Sequence, residues 1–276
     1  MLGLWQNSGM DHLEAGAYWE ANAHAWTTLA RQGWDVYSDL VNTPAFFEML
    51  PEVAGLVGLD IGCGEGHNTR LLARRGARML GVDISRSFVR YASQAEAEDP
   101  AGIRYVVASA QELPFGSEAF DLATAFMSLM DVPRADLALR EAYRVLKPGG
   151  FLQFSIVHPC FSTPHRKLVR DPKGEVRAVE VARYFDNVDG QIDEWLFSAA
   201  PKEAKAGLKP FRVPCFHRTL ADWLNAIVDA GFQIERVAEP KADAETAARK
   251  PAVADTRIVA YFLDLRCRKP KSGISG

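Results

Sequence analysis

Cysteine is scarce in this 276-residue chain. Cys63, Cys160, Cys215 and Cys267 stand far apart with no CxxC pair, so neither a zinc site nor a disulfide framework is legible, and a reduced, cytoplasmic compartment fits. Long apolar runs are missing too. No stretch of about twenty apolar residues occurs, and the N-terminus has no basic segment followed by an apolar one, so neither a membrane span nor a secretory leader is expected. There is no basic excess: 32 Lys and Arg against 35 Asp and Glu leave a net charge of −3, which disfavours a nucleic acid partner. Internal repeats and low-complexity tracts are absent, and no carboxylate constellation marks a metal. Neither the GxGxxG of dinucleotide folds nor the lysine of a phosphate-cradling P-loop is found, so no diphosphate is implied.

The composition is 48% hydrophobic, enough for one large α/β domain with an added segment. Strand signals near 56–61, 78–83, 103–108, 120–126 and 150–157 alternate with helix signals near 67–75, 86–98 and 134–146. Alternation of this kind predicts a mostly parallel sheet covered by helices on both faces, with ligands collecting beyond the carboxyl ends of the strands. The stretch Leu59-Asp60-Ile61-Gly62-Cys63-Gly64-Glu65-Gly66 puts Gly62, Gly64 and Gly66 on the first strand-to-helix turn. Glycine there permits positive φ and close backbone approach to a ligand. The next apolar run delivers Asp83 to the end of the neighbouring strand, where a carboxylate can accept hydrogen bonds from both hydroxyls of a ribose. A nucleoside is the expected guest.

Further motifs follow in order: Ala108 to Phe115 (ASAQELPF), Phe120-Asp121-Leu122, Glu141, and Arg144 to Gly150 (RVLKPGG). With the glycine turn, these residues resemble the class I S-adenosylmethionine-dependent methyltransferases, in particular the group related to the ubiquinone/menaquinone enzymes. The resemblance covers Pro44 to Phe154 strongly and the last sixty residues more loosely. It implies a Rossmann-like seven-stranded sheet closed by an antiparallel hairpin (Phe232 to Val237 and Ile258 to Leu265), and S-adenosylmethionine as cofactor with S-adenosylhomocysteine as product. It places Asp60 at the foot of the glycine loop, where it either meets the ligand or caps the turn. Asp83 takes the ribose and Ile84 lies beneath the adenine. Ser109 stands where the family often has an aspartate for the adenine amino group, so adenine leans on Ala110, Gln111 and apolar packing. Phe126 and Met127 fall near the methionine part. Arg144 to Gly150 is read as structural, a helix ending at Lys147.

The ends and the middle of the chain carry the remaining expectations. Residues 1–43 hold Trp5, Trp19, Trp26 and Trp34 with Tyr18 and Tyr37. The spacings 19 to 26 and 30 to 37 suit helical faces. This segment is either a helix pair packed on the domain or a lid with Tyr18 near the methionine end of the cofactor, and exchange between subunits would make a homo-oligomer. The core occupies 44–157. An insertion at 158–217, rich in charge, Pro and Gly, is read as a substrate cap; 218–268 completes the core and 269–276 is a tail. His158, directly after the fifth strand, is the candidate general base or else a structural histidine beside Pro159; His165 and His217 rank below it. Phe161, Trp195, Phe197 and Phe211 supply an aromatic wall suited to a hydrophobic, ring-containing or isoprenoid acceptor, with C-, O- and N-methylation all open. The histidine common after the fourth strand in quinone enzymes appears here as Met130 or Asp131. The predicted activity is methyl transfer to a hydrophobic small molecule in specialised metabolism; an RNA or protein methyltransferase and a catalytically silent cofactor-binding regulator are the rivals.

Overall fold

The structure, a computed structural model, describes residues 9–271; Trp5 and tail residues 272–276 lie outside the described residues. Helix α1 (His12–Arg31) starts at Asp11, whose carboxylate accepts the N–H groups of Leu13 and Glu14 while Glu14 reaches back to the Asp11 N–H. This reciprocal cap fixes the start. The helix stops at Arg31, and Gly33 turns the chain at φ 75°, so residues 30 and 37 do not share a helical face. A short π-helical turn, Ser38–Asn42, leads into α2 (Thr43–Met49).

The alternation then unfolds as β1 (Val57–Ile61), α3 (His67–Arg74), β2 (Arg78–Asp83), α4 (Arg86–Glu98), β3 (Arg104–Val107), β4 (Phe120–Phe126), α5 (Ala135–Val145) and β5 (Leu146–Val157). Helix α5 ends two residues before Lys147. The N–H groups of Glu118 and Ala119 take the carbonyls of Arg144 and Val145, which draws the chain into β5 at Leu146. Between the pairs Phe120↔Leu146 and Leu122↔Phe151, the segment 147–150 bulges out opposite Asp121, and Lys147 Nζ bonds the Asp121 carboxylate at 2.8 Å.

The insertion folds as two antiparallel hairpins: β6 (His165–Arg170) with β7 (Val176–Ala182), and β8 (Asp189–Trp195) with β9 (Phe211–Phe216), the second interrupted by the short α6 (Lys202–Lys205). Then come α7 (Leu220–Asp229), β10 (Gln233–Ala238), α8 (Ala244–Arg249), a 3-10 stretch Pro251–Arg257 and β11 (Phe262–Arg268). The last strand starts four residues later than its sequence signal. Val253 and Phe262 are drawn into a cluster with Val36, Val41 and Ala247, and the 3-10 turns occupy the intervening chain.

The seven-stranded sheet runs β10-β11-β5-β4-β1-β2-β3, with β11 antiparallel to both its neighbours and the rest parallel. One face is covered by α5 and α7 through Leu139, Ala142, Trp223 and Ile227, the other by α2 and α3 through Phe46, Phe47 and Leu72. Each fully buried large side chain is worth about 1.5–3 kcal/mol. The order of connection reverses between β1 and β4, which opens a crevice at their carboxyl ends. Above it, α1 and the second hairpin form one layer. The Asn22 side chain pairs with both the N–H and the C=O of Arg212, each at 2.9 Å, and Trp26 lies among Trp195, Phe197 and Phe211 with ring centroids 4.9–5.6 Å apart.

Candidate functional site

Between the sheet and this outer layer lies a cavity of about 1140 Å³. Its floor is the glycine turn. Gly62 has φ 70°, and a Cβ there would stand 2.4 Å from the Cβ of Ser128, so both conformation and space demand glycine. Gly64, at φ 55°, has open space where a Cβ would point; that space belongs to the cavity. Gly66 does a different job. It begins α3 at φ 89°, lies off the cavity wall, and a Cβ there would press on the Tyr105 hydroxyl at 2.6 Å.

Asp83 ties the turn to β2. One carboxylate oxygen accepts the Gly64 N–H and the other the Ser85 N–H, each at 2.9 Å. Burial pushes its carboxyl up to about 6, against the pull of those two N–H groups. Lone pairs remain on both oxygens for further donors on the cavity side. Asp60 also touches the cavity, but its oxygens are taken by the hydroxyls of Thr69 and Thr124 at 2.6 and 2.8 Å, which clamp β1 to α3 and β4. Burial raises its carboxyl as well.

Ile84, Ser109, Ala110 and Gln111 line the adjoining wall. Ile84 meets α1 directly: a Cβ on Gly16 of that helix would stand 2.8 Å from its Cδ1. Glu20 latches the same helix by accepting the Ser85 hydroxyl (2.6 Å), the Ser87 N–H (3.0 Å) and the Ser87 hydroxyl (2.6 Å). Ser109 Oγ accepts the Gln111 N–H at 3.2 Å. Gln111 Nε2 and Asn68 Oδ1 are buried without partners, on residues that line the cavity. A buried donor and acceptor left open are costly unless a ligand completes them, and a nucleoside with an amino-acid tail offers both kinds of group. Asn68 carried no motif and was missed by sequence reasoning.

Beyond the turn, Phe126, Met127 and Ser128 leave β4 along the cavity. Met127 holds a left-handed φ of 51°, its N–H on the Ser155 carbonyl at 3.0 Å, and Ser128 Oγ donates to the Ile61 carbonyl at 2.7 Å. Strain of this kind gathers where the surrounding structure over-determines a site. Tyr18 is not among these residues: it points to the other side of α1, where the Arg212 guanidinium covers its ring at 5.2 Å. Trp19, the next residue, lines the cavity instead.

The acceptor end departs further from the sequence reading. Trp195 and Phe197 line the cavity, but Phe211 is fully buried behind them and Phe161 packs on His158 at 4.8 Å. His158 is buried outside the cavity, its Nδ1 accepting the Cys160 N–H at 3.2 Å and its Nε2 facing Glu239 at 2.9 Å. With Nδ1 an acceptor, Nε2 carries the proton and donates to Glu239, so no ring nitrogen is left to act as a base. His165 pairs with Glu180 at 2.8 Å on the exposed side of β6, and His217 faces the Tyr184 carbonyl at 2.8 Å. Titratable groups that do reach the cavity include Asp35, His67, Asp193 and Asp131, the last on the 3-10 turn Leu129–Asp131 just after β4. In the sequence Asp131 registered only as a residue standing where quinone enzymes carry histidine.

Comparison with known proteins places the chain in a family. The methyltransferase domain family matches residues 59–154. The ubiquinone biosynthesis O-methyltransferase of Pseudomonas fluorescens is 31% identical over 190 residues, covering 64% of this chain and 72% of that protein. A crystallised S-adenosylmethionine-dependent methyltransferase from Mesorhizobium loti is 30% identical, with a TM-score of 0.64 over 82% of this chain and 96% of that one. The [4+2]-cyclase SpnF, 21% identical with a TM-score of 0.60, shares the fold. The chain belongs to the S-adenosylmethionine-dependent methyltransferases, and S-adenosylmethionine is its cofactor.

Proposed function

We infer that this enzyme methylates a hydrophobic, ring-containing or isoprenoid small molecule bound in the outer part of the cavity, in a biosynthetic pathway of specialised metabolism. One observation carries the reading: the cavity continues from the glycine turn to Trp195, Phe197 and Tyr261, and its roughly 1140 Å³ exceeds the ~300–1,000 Å³ of an ordinary single-ligand site. Two molecules fit where one would leave a void.

Asp83 is the residue for the ribose, with Ile84 and Ser109 to Gln111 around the base. The bound cofactor supplies a methyl group already activated on a sulfonium. What the chain must add is alignment, worth about 7–11 kcal/mol when the geometry is good, and exclusion of water by the lid and the second hairpin. The ubiquinone O-methyltransferase relatives support a ring-bearing acceptor.

The test is incubation with S-adenosylmethionine carrying a labelled methyl group and a small-molecule extract of the source cells, followed by mass spectrometry. Label in a small apolar product is the expected result. Label confined to RNA or protein would overturn the reading.

A further inference from the structure

Away from the glycine turn the cavity is lined by Asp131 and Asp193, with Asp35 nearer Tyr261, and among the described residues no cation is ion-paired to Asp131 or Asp193. Asp131 lines that space half-buried, with no ion pair to a cation among the described residues, and burial holds its carboxyl well above the usual carboxylate range. Asp193, on β8, lines the same cavity and accepts a hydrogen bond from Cys215 Sγ at 3.2 Å; Asp131 is near enough to act on the same thiol. Both carboxylates border the large cavity and also a smaller one of about 180 Å³ behind it. Met130, Val157 and Cys215 border both cavities with them. The small cavity is lined as well by Ser162, whose hydroxyl is buried and unpartnered.

The arginines on the cavity wall are engaged elsewhere. Arg31 is bound to Glu65 at 2.7 Å, Arg70 to Glu96 and Asp99 at 3.1 and 2.6 Å, and Arg74 to Asp99 at 2.7 Å. Among the described residues no three His, Cys, Asp or Glu side chains converge as a metal site. A desolvated carboxylate without a partner is costly, and at a cavity wall the missing partner can arrive with the ligand. The aromatic faces of Trp195 and Tyr261 border the same space, and such faces favour cations by about 0.5–2 kcal/mol.

We propose that the acceptor is a basic amine, bound as its ammonium between Asp131 and Asp193, and that Asp131 takes the proton that frees the nitrogen for methylation. This rests on the methyltransferase reading above and names the acceptor atom within it. One N–H bond breaks and its proton passes to the Asp131 carboxylate. The freed lone pair forms the new N–CH3 bond as the S–CH3 bond breaks, the positive charge moves from sulfur to nitrogen, and Asp131 later gives its proton to water. A phenol would bring a proton but no charge to balance the second carboxylate.

The experiment titrates 2-phenylethylamine, 4-ethylphenol and 3-phenylpropionate into enzyme saturated with S-adenosylhomocysteine, reading the tryptophan fluorescence of the cavity wall. The amine is expected to bind at least tenfold more tightly than either of the others. Asp131→Asn should remove that preference while S-adenosylhomocysteine affinity stays within twofold of wild type, and Asp193→Asn, as a second variant, should weaken the amine without strengthening the acid. Equal or tighter binding of the phenol, no binding of the amine, or an amine preference that survives both substitutions would overturn the proposal. Failure of S-adenosylhomocysteine itself to bind would instead strike the methyltransferase reading on which it rests.

Discussion

Asp264 offers a quantitative test of how the sheet tolerates charge. It sits in β11 opposite Ser155 of β5, fully buried, with neither carboxylate oxygen in a hydrogen bond. Burial raises its carboxyl from 3.8 to about 7, and the nearby Ser155 hydroxyl opposes this only in part. Below pH 4 the group is protonated folded or unfolded and contributes nothing to the pH dependence. Between pH 4 and 7 the unfolded chain ionises while the folded one keeps its proton. The folded state therefore binds more protons and stability falls as pH rises, by about 1.4 kcal/mol per pH unit. Above pH 7 the loss is complete, at about 4 kcal/mol. Asp264→Asn removes the titration at the cost of burying an amide, about 1–3 kcal/mol, so absolute stabilities partly cancel. The change with pH does not. In urea unfolding followed by fluorescence, the stability of Asp264→Asn relative to wild type should rise by about 2.5–3 kcal/mol from pH 5 to pH 8. Parallel pH profiles for the two proteins would refute the reasoning.

Three further outcomes follow from the site. Asp83→Asn turns an amide N–H toward the N–H of Gly64 or Ser85 and weakens the ribose contact; at about 1.5–3 kcal/mol, calorimetry should show S-adenosylhomocysteine affinity falling roughly 10- to 150-fold, and unchanged affinity would sink the ribose assignment. His158→Ala should lower the unfolding free energy measured in urea, by about 1–3 kcal/mol for the Cys160 N–H left without its acceptor, with cofactor affinity unchanged; lost turnover at full stability would restore the histidine to the chemistry. Glu20→Ala removes the latch on Ser85 and Ser87, so hydrogen exchange across α1 should speed up and S-adenosylhomocysteine should dissociate faster, with global stability shifting by less than about 1 kcal/mol because the carboxylate is largely exposed. Unaltered exchange in α1 would show that Glu20 does not hold the helix in place.

The cofactor end was legible in the sequence because it is built from backbone. Gly62 and Gly64 are demanded by φ and by close approach, and Asp83 falls at a strand end set by the apolar run before it, so local rules suffice. Gly66 obeyed the same rule for another reason, its packing against Tyr105. The acceptor end was poorly legible because it depends on which way side chains point once α1 and the hairpins pack. Tyr18 and Trp19 are adjacent in sequence, yet the pairing of Asn22 with Arg212 rotates Tyr18 outward and Trp19 inward. His158 follows the fifth strand as expected, but its ring turns to Glu239. No periodicity records such choices, nor the four strands of the insertion, whose half-exposed hairpins lack clean alternation. Asp131 could have been noticed as a lone carboxylate in the apolar run Phe126 to Val132.

The most direct test of the account is a crystal structure of the full chain with S-adenosylhomocysteine. It should show the ribose hydroxyls on Asp83, the adenine between Ile84 and Gln111, and the sulfur opening toward the part of the cavity bounded by Asp131 and Trp195. Adenosine bound elsewhere, or a sulfur facing a closed wall with no path to that space, would contradict it.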